Sequence, residues 1–112
     1  MGFHRQTDLQ QHVIGEGRTR VQVHTDRLMM VVMDFTDGPA AQPDPPHTHP
    51  HEQICYVVSG RVRYYLGEEY ADLQPGDLVT VPAGVPHRIQ TLSPVVRLAD
   101  AFHPIRDDFL AR

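Results

Sequence analysis

The chain has 112 residues, a formal net charge of -4 with histidine neutral, and a single cysteine. This length fits one domain, which we take to span residues 1–112, and one cysteine excludes an intrachain disulfide. We expect no nucleic-acid partner because basic runs are absent, and no membrane association because every apolar run is too short to span a bilayer. The absence of a signal-peptide pattern predicts a cytoplasmic location.

The first part of the chain predicts an arm followed by two strands. Residues 1–20 are polar and lack a clear period, so we expect an N-terminal arm that is either loose or lies along a neighbouring subunit. Residues 21–25 alternate apolar and polar side chains, which is typical of a half-buried strand. Residues 27–36 are almost continuously apolar and end at Asp37-Gly38-Pro39, which predicts a strand covered on both faces.

The rest of the chain predicts several short strands separated by turns. Prolines at 39, 43, 45 and 46 stiffen the loop of residues 38–46, which leads directly into His47. Ser59-Gly60 is typical of a tight hairpin between strands 53–59 and 61–66. Further strands are predicted at 70–73, 78–81, 87–91 and 95–102, with a helical or irregular tail at 104–112. Short strands at this spacing predict an all-β sandwich or barrel.

The sole cysteine, Cys55, lies in the apolar run of residues 54–58. We interpret it as a buried, reduced thiol. A catalytic thiolate is the alternative, since a nearby metal ion could supply the positive environment that a thiolate needs.

Three histidines, a carboxylate and a carboxamide are concentrated in the segment His47-Thr48-His49-Pro50-His51-Glu52-Gln53. In an extended strand, residues i and i+2 lie on the same face, so His47 and His49 point the same way and Gln53 shares their parity. Neutral imidazole is the commonest protein ligand of metals. A fourth ligand, His87, follows the turn residues Pro82 to Pro86. These residues predict a site for one metal ion.

The spacing of these residues resembles the two motifs of the cupin family. His47-x-His49-x3-Gln53-x6-Gly60 matches G-x5-H-x-H-x3/4-E-x6-G, except that glutamine replaces glutamate and the leading glycine is off register. Gly76-x5-Pro82-x-Gly84-x2-His87-x3-Thr91 matches G-x5-P-x-G-x2-H-x3-N, except for Thr91. The resemblance implies an all-β double-stranded β-helix, or jelly-roll, cupin barrel.

The resemblance also implies that His47, His49, Gln53 and His87 bind one divalent transition metal, which would be zinc, nickel, iron, manganese or copper. The Irving–Williams order predicts a preference in vitro for copper, nickel or zinc over manganese. The alternative is a quartet of satisfied polar groups that binds no ion. We place His51 and Glu52 in the outer shell or in solvent, because the strand parity of Glu52 is wrong for a ligand.

Within the cupins, the pattern His-x-His-Pro-His-Glu-Gln is similar to the family of the pectin-degradation protein KdgF. Asp100-x-Phe102-x3-Arg106 also matches a catalytic pattern of that family. The resemblance implies conversion of 4,5-unsaturated monouronates from pectin or alginate into linear ketonic sugar acids. Asp100 would transfer a proton, Arg106 would bind the uronate carboxylate, and Phe102 would pack against the sugar ring. Ordinary roles in a turn, the core or a subunit interface are the alternative for these three residues.

Two other functions stay open at the level of the sequence. One is a different cupin enzyme, such as a dioxygenase or a sugar isomerase, and the other is a non-enzymatic module that binds a metal or a small ligand. In each enzymatic reading the partner is a small molecule, and in the KdgF-like reading it is a sugar acid. Apolar residues that face outward on several strands predict a homodimer.

Overall fold

The computed structural model describes residues 2–110, which form two antiparallel β-sheets. The strands are β1 (His12–Gly15), β2 (Arg18–His24), β3 (Met29–Phe35), β4 (Glu52–Ser59), β5 (Val62–Leu66), β6 (Glu69–Leu73), β7 (Leu78–Val81), β8 (His87–Thr91) and β9 (Val96–His103). A 3-10 turn at Gln6–Asp8 precedes them, and a short helix, α1 (Asp107–Leu110), follows.

The larger sheet has the strand order β1-β2-β3-β9-β4-β7, and the smaller sheet has the order β6-β5-β8. Strands that are distant in sequence, such as β3, β9 and β4, are neighbours in the larger sheet. This arrangement confirms the all-β jelly-roll barrel that the sequence predicts.

The core lies between the two sheets because side chains alternate between the faces of each strand. In β9, Asp100 and Phe102 point inward and each is 4% exposed, whereas Arg97 and His103 are exposed on the outer face. The main cluster of buried residues contains Phe35, Cys55, Val57, Val62, Tyr64, Val81, Val96 and Leu98. A second cluster of Met29, Val31 and Phe102 packs against Ile105 and Phe109 of the tail.

The larger sheet begins earlier in the chain than the sequence predicts. Residues assigned to the N-terminal arm form β1 and the start of β2, and the two strands pair through the turn at Gly17, where φ is +69°. Pairing of Arg18 with Phe35 extends β2 beyond its alternating part. These residues are too polar for the strands to be predicted from the sequence. The reason for β1 is that it lies at the sheet edge, where its residues are at least partly exposed.

The predicted hairpin at Ser59-Gly60 is wrong. Strand β4 pairs with β7 and β9, whereas β5 pairs with β6 and β8, so this turn carries the chain from one sheet to the other. Gly60 has φ +79°, and a Cβ on it would lie 2.2 Å from the carbonyl oxygen of Val95. Glycine is therefore required here because two backbone segments pass close to each other, and not because the turn forms a two-stranded hairpin.

The tail contains the short helical segment that the sequence allows, and residues 111–112 of the predicted tail lie outside the described residues. Between residues 2 and 110, no helix has both the length and the apolar character needed to cross a bilayer.

The outer face of the larger sheet carries a continuous apolar surface. Met30 pairs with Ala101, which pairs with Ile54, while Ala99 lies opposite Tyr56 on the next outward rung. Met30, Ile54 and Tyr56 are 46%, 48% and 42% exposed. The sequence predicts that both faces of β3 are covered, but within the single chain its outer face is open at Met30.

Candidate metal centre

The backbone brings the two histidine-bearing segments together. His47 and His87 form an isolated antiparallel bridge, with N···O distances of 3.1 Å and 3.0 Å between their main-chain atoms. The amide of Gly84 donates to the carbonyl oxygen of His49 at 2.9 Å. The candidate ligands before β4, His47 and His49, therefore lie on a loop that is fixed to the segment around β8, rather than on the continuous strand that the sequence predicts.

One ring nitrogen from each of His47, His49 and His87 lies within 4.8 Å of the other two. The ring centroids of His47 and His87 are 4.2 Å apart, and those of His49 and His87 are 4.7 Å apart. His49 and His87 are buried, whereas His47 is exposed at the mouth of the cluster. The convergence that the sequence predicts for the three imidazoles is therefore present.

Hydrogen bonds fix the tautomers of the two buried imidazoles. Nδ1 of His87 donates to the carbonyl oxygen of Val85 at 2.9 Å, and Nδ1 of His49 donates to that of His51 at 3.0 Å. In a neutral ring, the proton on Nδ1 leaves Nε2 with a free lone pair. Metal-binding histidines are oriented in this way by their second nitrogen.

Two observations show that the donor set fits a metal ion. Nε2 of His87 is buried and has no hydrogen-bond partner among the described residues. Oε1 of Gln53 lies 3.0 Å from Nε2 of His49, although both atoms carry lone pairs when His49 is neutral. A bound cation would account for both observations, because it accepts lone pairs from the imidazole nitrogens and from the amide oxygen together. Imidazole nitrogens and an amide oxygen are suitable ligands for zinc, copper, iron or nickel.

Burial keeps the imidazoles in the form that binds metal. Desolvation is the main cause that lowers the pKa of His47, His49 and His87, and the positive charge of Arg106 lowers each of them further. Neutral rings are therefore favoured at physiological pH. A protonated His49 could donate a hydrogen bond to Oε1 of Gln53, but the lowered pKa of His49 disfavours that form.

Gln53 connects this cluster to Asp100. Its Nε2 donates to Oδ1 of Asp100 at 2.9 Å, which orients the amide so that Oε1 faces His49. Burial raises the pKa of the Asp100 carboxyl, while hydrogen bonds from Gln53 and Cys55 act in the opposite direction. The raised pKa brings this carboxyl closer to the range in which it can both accept and donate a proton.

Cys55 is a buried thiol. It is 0% exposed, and burial is the main cause that raises its pKa. Full burial contradicts the catalytic thiolate that the sequence leaves open, because such a thiolate needs a partly exposed, electropositive site. Cys55 is paired with Asp100 across β4 and β9, a contact that the sequence does not predict.

Phe102 and Arg106 lie beside the cluster. The Phe102 ring is 5.6 Å from the ring of His49, and the guanidinium of Arg106 is 5.1 Å from the centre of the Phe102 ring. The structure therefore brings Asp100, Phe102 and Arg106 to the same end of the barrel as the histidines. Their roles as catalytic residues stay predictions.

Tyr64 is a further residue of this region that the sequence does not single out as part of the site. Its ring stacks against His87 at 6.5 Å between centroids, and its hydroxyl lies 3.5 Å from Nε2 of Gln53. Its inward position in β5 could have indicated a place in the site. That position becomes informative only once β5 is known to face β4 from the other sheet.

The neighbouring residues agree with the sequence analysis. Glu52 points outward and is exposed. His51 contributes its carbonyl oxygen to the orientation of His49, and its place in the outer shell of a metal site stays a prediction.

A sizeable cavity is lined by none of the three histidines. It has a volume of about 660 Å³ and is lined mainly by side chains of β5, β6 and β7, including Tyr64, Leu73 and Leu78. We place the chemistry at the histidine cluster, because converging donors and shifted pKa values mark a reactive site more specifically than cavity size does.

Comparisons with known proteins agree with this geometry. Residues 33–99 match the family model of the Cupin domain. The chain is 32% identical over 99 residues to the pectin degradation protein KdgF of Dickeya dadantii (strain 3937), and the match covers 87% of each chain.

Two solved structures have the same fold over nearly the whole chain. KdgF from Halomonas sp. superposes with a TM-score of 0.87 and 32% identity, covering 97% of this chain and 98% of that one. An RmlC-like cupin from Shewanella frigidimarina superposes with a TM-score of 0.86 and 30% identity, covering 97% and 96%.

Proposed function

This chain belongs to the cupin family, to the part of it that includes KdgF, and we propose that it is a metal-dependent enzyme of pectin or alginate breakdown. Its substrates are 4,5-unsaturated monouronates, and its products are linear ketonic sugar acids. The observation that carries the proposal is the 2.9 Å hydrogen bond between Gln53 and Asp100. It joins a candidate metal ligand to the candidate proton carrier in one buried network.

His47, His49, Gln53 and His87 would hold the ion. A divalent ion bound there supplies Lewis acidity toward the oxygens of the sugar. Because Gln53 is neutral, the ligands add no negative charge, and the full positive charge remains available for this purpose.

Asp100 is the group that moves the proton. The net change is an isomerisation: the C1–O5 bond of the sugar ring breaks, the C1 hydroxyl loses its proton to give an aldehyde, and C4 gains a proton. The oxygen that leaves C1 becomes the C5 ketone, so no other reactant is consumed. A carboxyl with a raised pKa can take the first proton and return it to C4.

Arg106 and Phe102 hold the substrate. A guanidinium binds a carboxylate through two parallel N–H···O bonds, which orients the sugar as well as attracting it. The positive charge of Arg106 reaches all three histidines, since it lowers the pKa of each. A uronate carboxylate on Arg106 therefore places the ring beside Phe102 and the donor cluster.

The experiment that tests the function follows the ultraviolet absorbance of 4,5-unsaturated galacturonate. We expect the absorbance to fall when the zinc-loaded protein is added and to stay constant with a His49→Ala variant under the same conditions. Absorbance that persists with the metal-loaded protein, tested with zinc, nickel, iron and manganese in turn, would contradict the proposal.

We also propose that a second copy of the chain covers the outer face of the larger sheet. The central rungs of that face carry Met30, Ile54, Tyr56, Ala99 and Ala101, none of which is charged. Tyr56→Asp should convert a dimer to a monomer in light scattering after size-exclusion chromatography. Tyr70→Asp, on the exposed side of β6, serves as the control and should leave the dimer intact. The cytoplasmic location stays a prediction.

A further inference from the structure

The guanidinium of Arg106 has a carboxylate of its own. Nε and Nη2 of Arg106 donate to Oδ1 and Oδ2 of Asp108 at 3.0 Å and 2.7 Å. The side chain of Arg106 is only 13% exposed, whereas that of Asp108 is 56% exposed. These hydrogen bonds are the main cause that lowers the pKa of the Asp108 carboxyl, so the group is charged at neutral pH.

Aromatic rings restrict the same guanidinium further. It lies 5.1 Å from the centre of the Phe102 ring and 4.1 Å from the centre of the Phe109 ring. The rings of Phe102 and Phe109 meet edge to face at 5.9 Å. Arg106 therefore cannot change its orientation without losing contacts to both rings.

The segment that carries Asp108 and Phe109 is attached to β2. Nε2 of Gln22 donates to the main-chain carbonyl oxygen of Phe109 at 2.9 Å, and the guanidinium of Arg20 lies 3.9 Å from the centre of the Phe109 ring. These contacts fix helix α1 to the larger sheet, and they therefore also fix the position of Asp108.

We propose that Asp108 is a positioning residue, which holds Arg106 by its Nε edge so that the remaining Nη1 end receives the carboxylate of a uronate. This inference rests on the proposed function. A guanidinium has five N–H donors, and two of them suffice for Asp108, so a second carboxylate can bind at the other end. The ion pair contributes orientation, because an arginine that rotated freely would lose entropy on binding the substrate.

The same contact has a competing interpretation, in which Asp108 occupies the N–H groups of Arg106 that the substrate needs. The Asp108 carboxylate would then have to leave before the substrate binds. The two roles predict opposite effects. Removal of a positioning carboxylate weakens uronate binding, whereas removal of a competitor strengthens it.

The experiment compares Asp108→Asn with Asp107→Asn. Both substitutions remove one negative charge from the first turn of α1, but Asp107 makes no bond to Arg106. The first readout is the NMR signal of the Arg106 Nε–H group, which a charge-assisted hydrogen bond shifts and protects from exchange with water. The second is the dissociation constant of D-galacturonate, an unreactive uronate, measured on the zinc-loaded protein.

We expect Asp108→Asn to lose the protected Nε–H signal and to bind galacturonate about two- to five-fold more weakly, which is the range for an ion pair with one solvent-exposed partner. Asp108→Glu should restore part of the affinity, and Asp107→Asn should match the unmodified protein in both readouts. Tighter binding by Asp108→Asn, or binding equal to that of Asp107→Asn, would overturn the proposal.

The NMR signal separates this inference from the proposed function. If the unmodified protein binds no uronate, the proposed function fails, and the signal alone decides whether Asp108 orients Arg106. Loss of the signal in Asp108→Asn but not in Asp107→Asn supports the positioning role. An unchanged signal in both variants overturns it.

Discussion

The candidate metal centre and the tail that carries Arg106 are each positioned in a different way. His47 and His87 are joined by two main-chain hydrogen bonds, and the loop of His49 is fixed to Gly84 by another. In the tail, Arg106 is held by the side chains of Asp108, Phe102 and Phe109. The donors are positioned by the backbone of the fold, whereas the candidate substrate-binding cation is positioned by side chains that a single substitution can remove.

This difference predicts that the two regions can be damaged separately. A substitution in the donor cluster should remove metal and activity together. A substitution in the tail should leave the metal in place and change only substrate binding or local stability.

The largest effect is expected for His49→Ala. It removes a buried candidate ligand, so zinc affinity should fall by more than about 100-fold, because loss of an outer-shell partner alone costs up to about that much. Turnover should fall to background. Titration of the metal-free protein with zinc measures the affinity. His24→Ala, which removes an exposed imidazole from β2, should bind zinc as the unmodified protein does. Equal affinity in both variants would contradict the assignment of His49.

Asp100→Asn tests the residue that connects the two regions. The amide fits the space of the carboxyl but cannot transfer a proton, so kcat should fall by about 10²- to 10⁴-fold. Zinc content should stay at the level of the unmodified protein, because the candidate ligands are unchanged. A variant that loses both zinc and turnover would show instead that Asp100 acts by orienting Gln53.

Phe109→Ala addresses the tail alone. It removes the ring that contacts both Arg20 and Arg106, so the free energy of unfolding should fall by about 1–3 kcal/mol from two lost cation–π contacts and lost packing. Zinc affinity should not change. Urea denaturation and zinc titration of the same preparation provide the two readouts, and a parallel loss of zinc would mean that the regions are not independent.

The smallest effect is expected from pH. The pKa values of His47, His49 and His87 are lowered from their ordinary value of 6.5. Below pH 6.5 the unfolded chain therefore binds more protons than the folded one, and the stability of the metal-free protein should fall as the pH falls. Urea denaturation at pH 8 and pH 5.5 measures this, and His87→Gln should show a weaker dependence. A dependence that is unchanged in His87→Gln would assign the effect to other groups.

Much of the fold and the donor cluster could be predicted from the sequence. His47, His49, Gln53 and His87 stand at spacings that jelly-roll connections bring together, and inward positions for Asp100 and Phe102 follow from strand parity. These features depend on local geometry and on backbone pairing, which leave a regular pattern in the chain.

Other features could not be predicted because they depend on contacts between distant segments. The turn at Gly60 has the composition of a hairpin, and only the pairing of β4 and β5 with different strands shows that the chain crosses between the sheets there. The bond between Arg106 and Asp108 and the contact of Phe109 with Arg20 leave no periodic signal. Strand β1 could not be predicted because partly exposed residues at a sheet edge need no alternation of apolar and polar side chains.

X-ray absorption spectroscopy of the zinc-loaded protein, combined with anomalous diffraction from its crystals, tests the central claim most directly. We predict one ion per chain, bound by ring nitrogens of His47, His49 and His87 and by the amide oxygen of Gln53. An ion bound elsewhere, or a coordination shell without these imidazoles, would contradict the account.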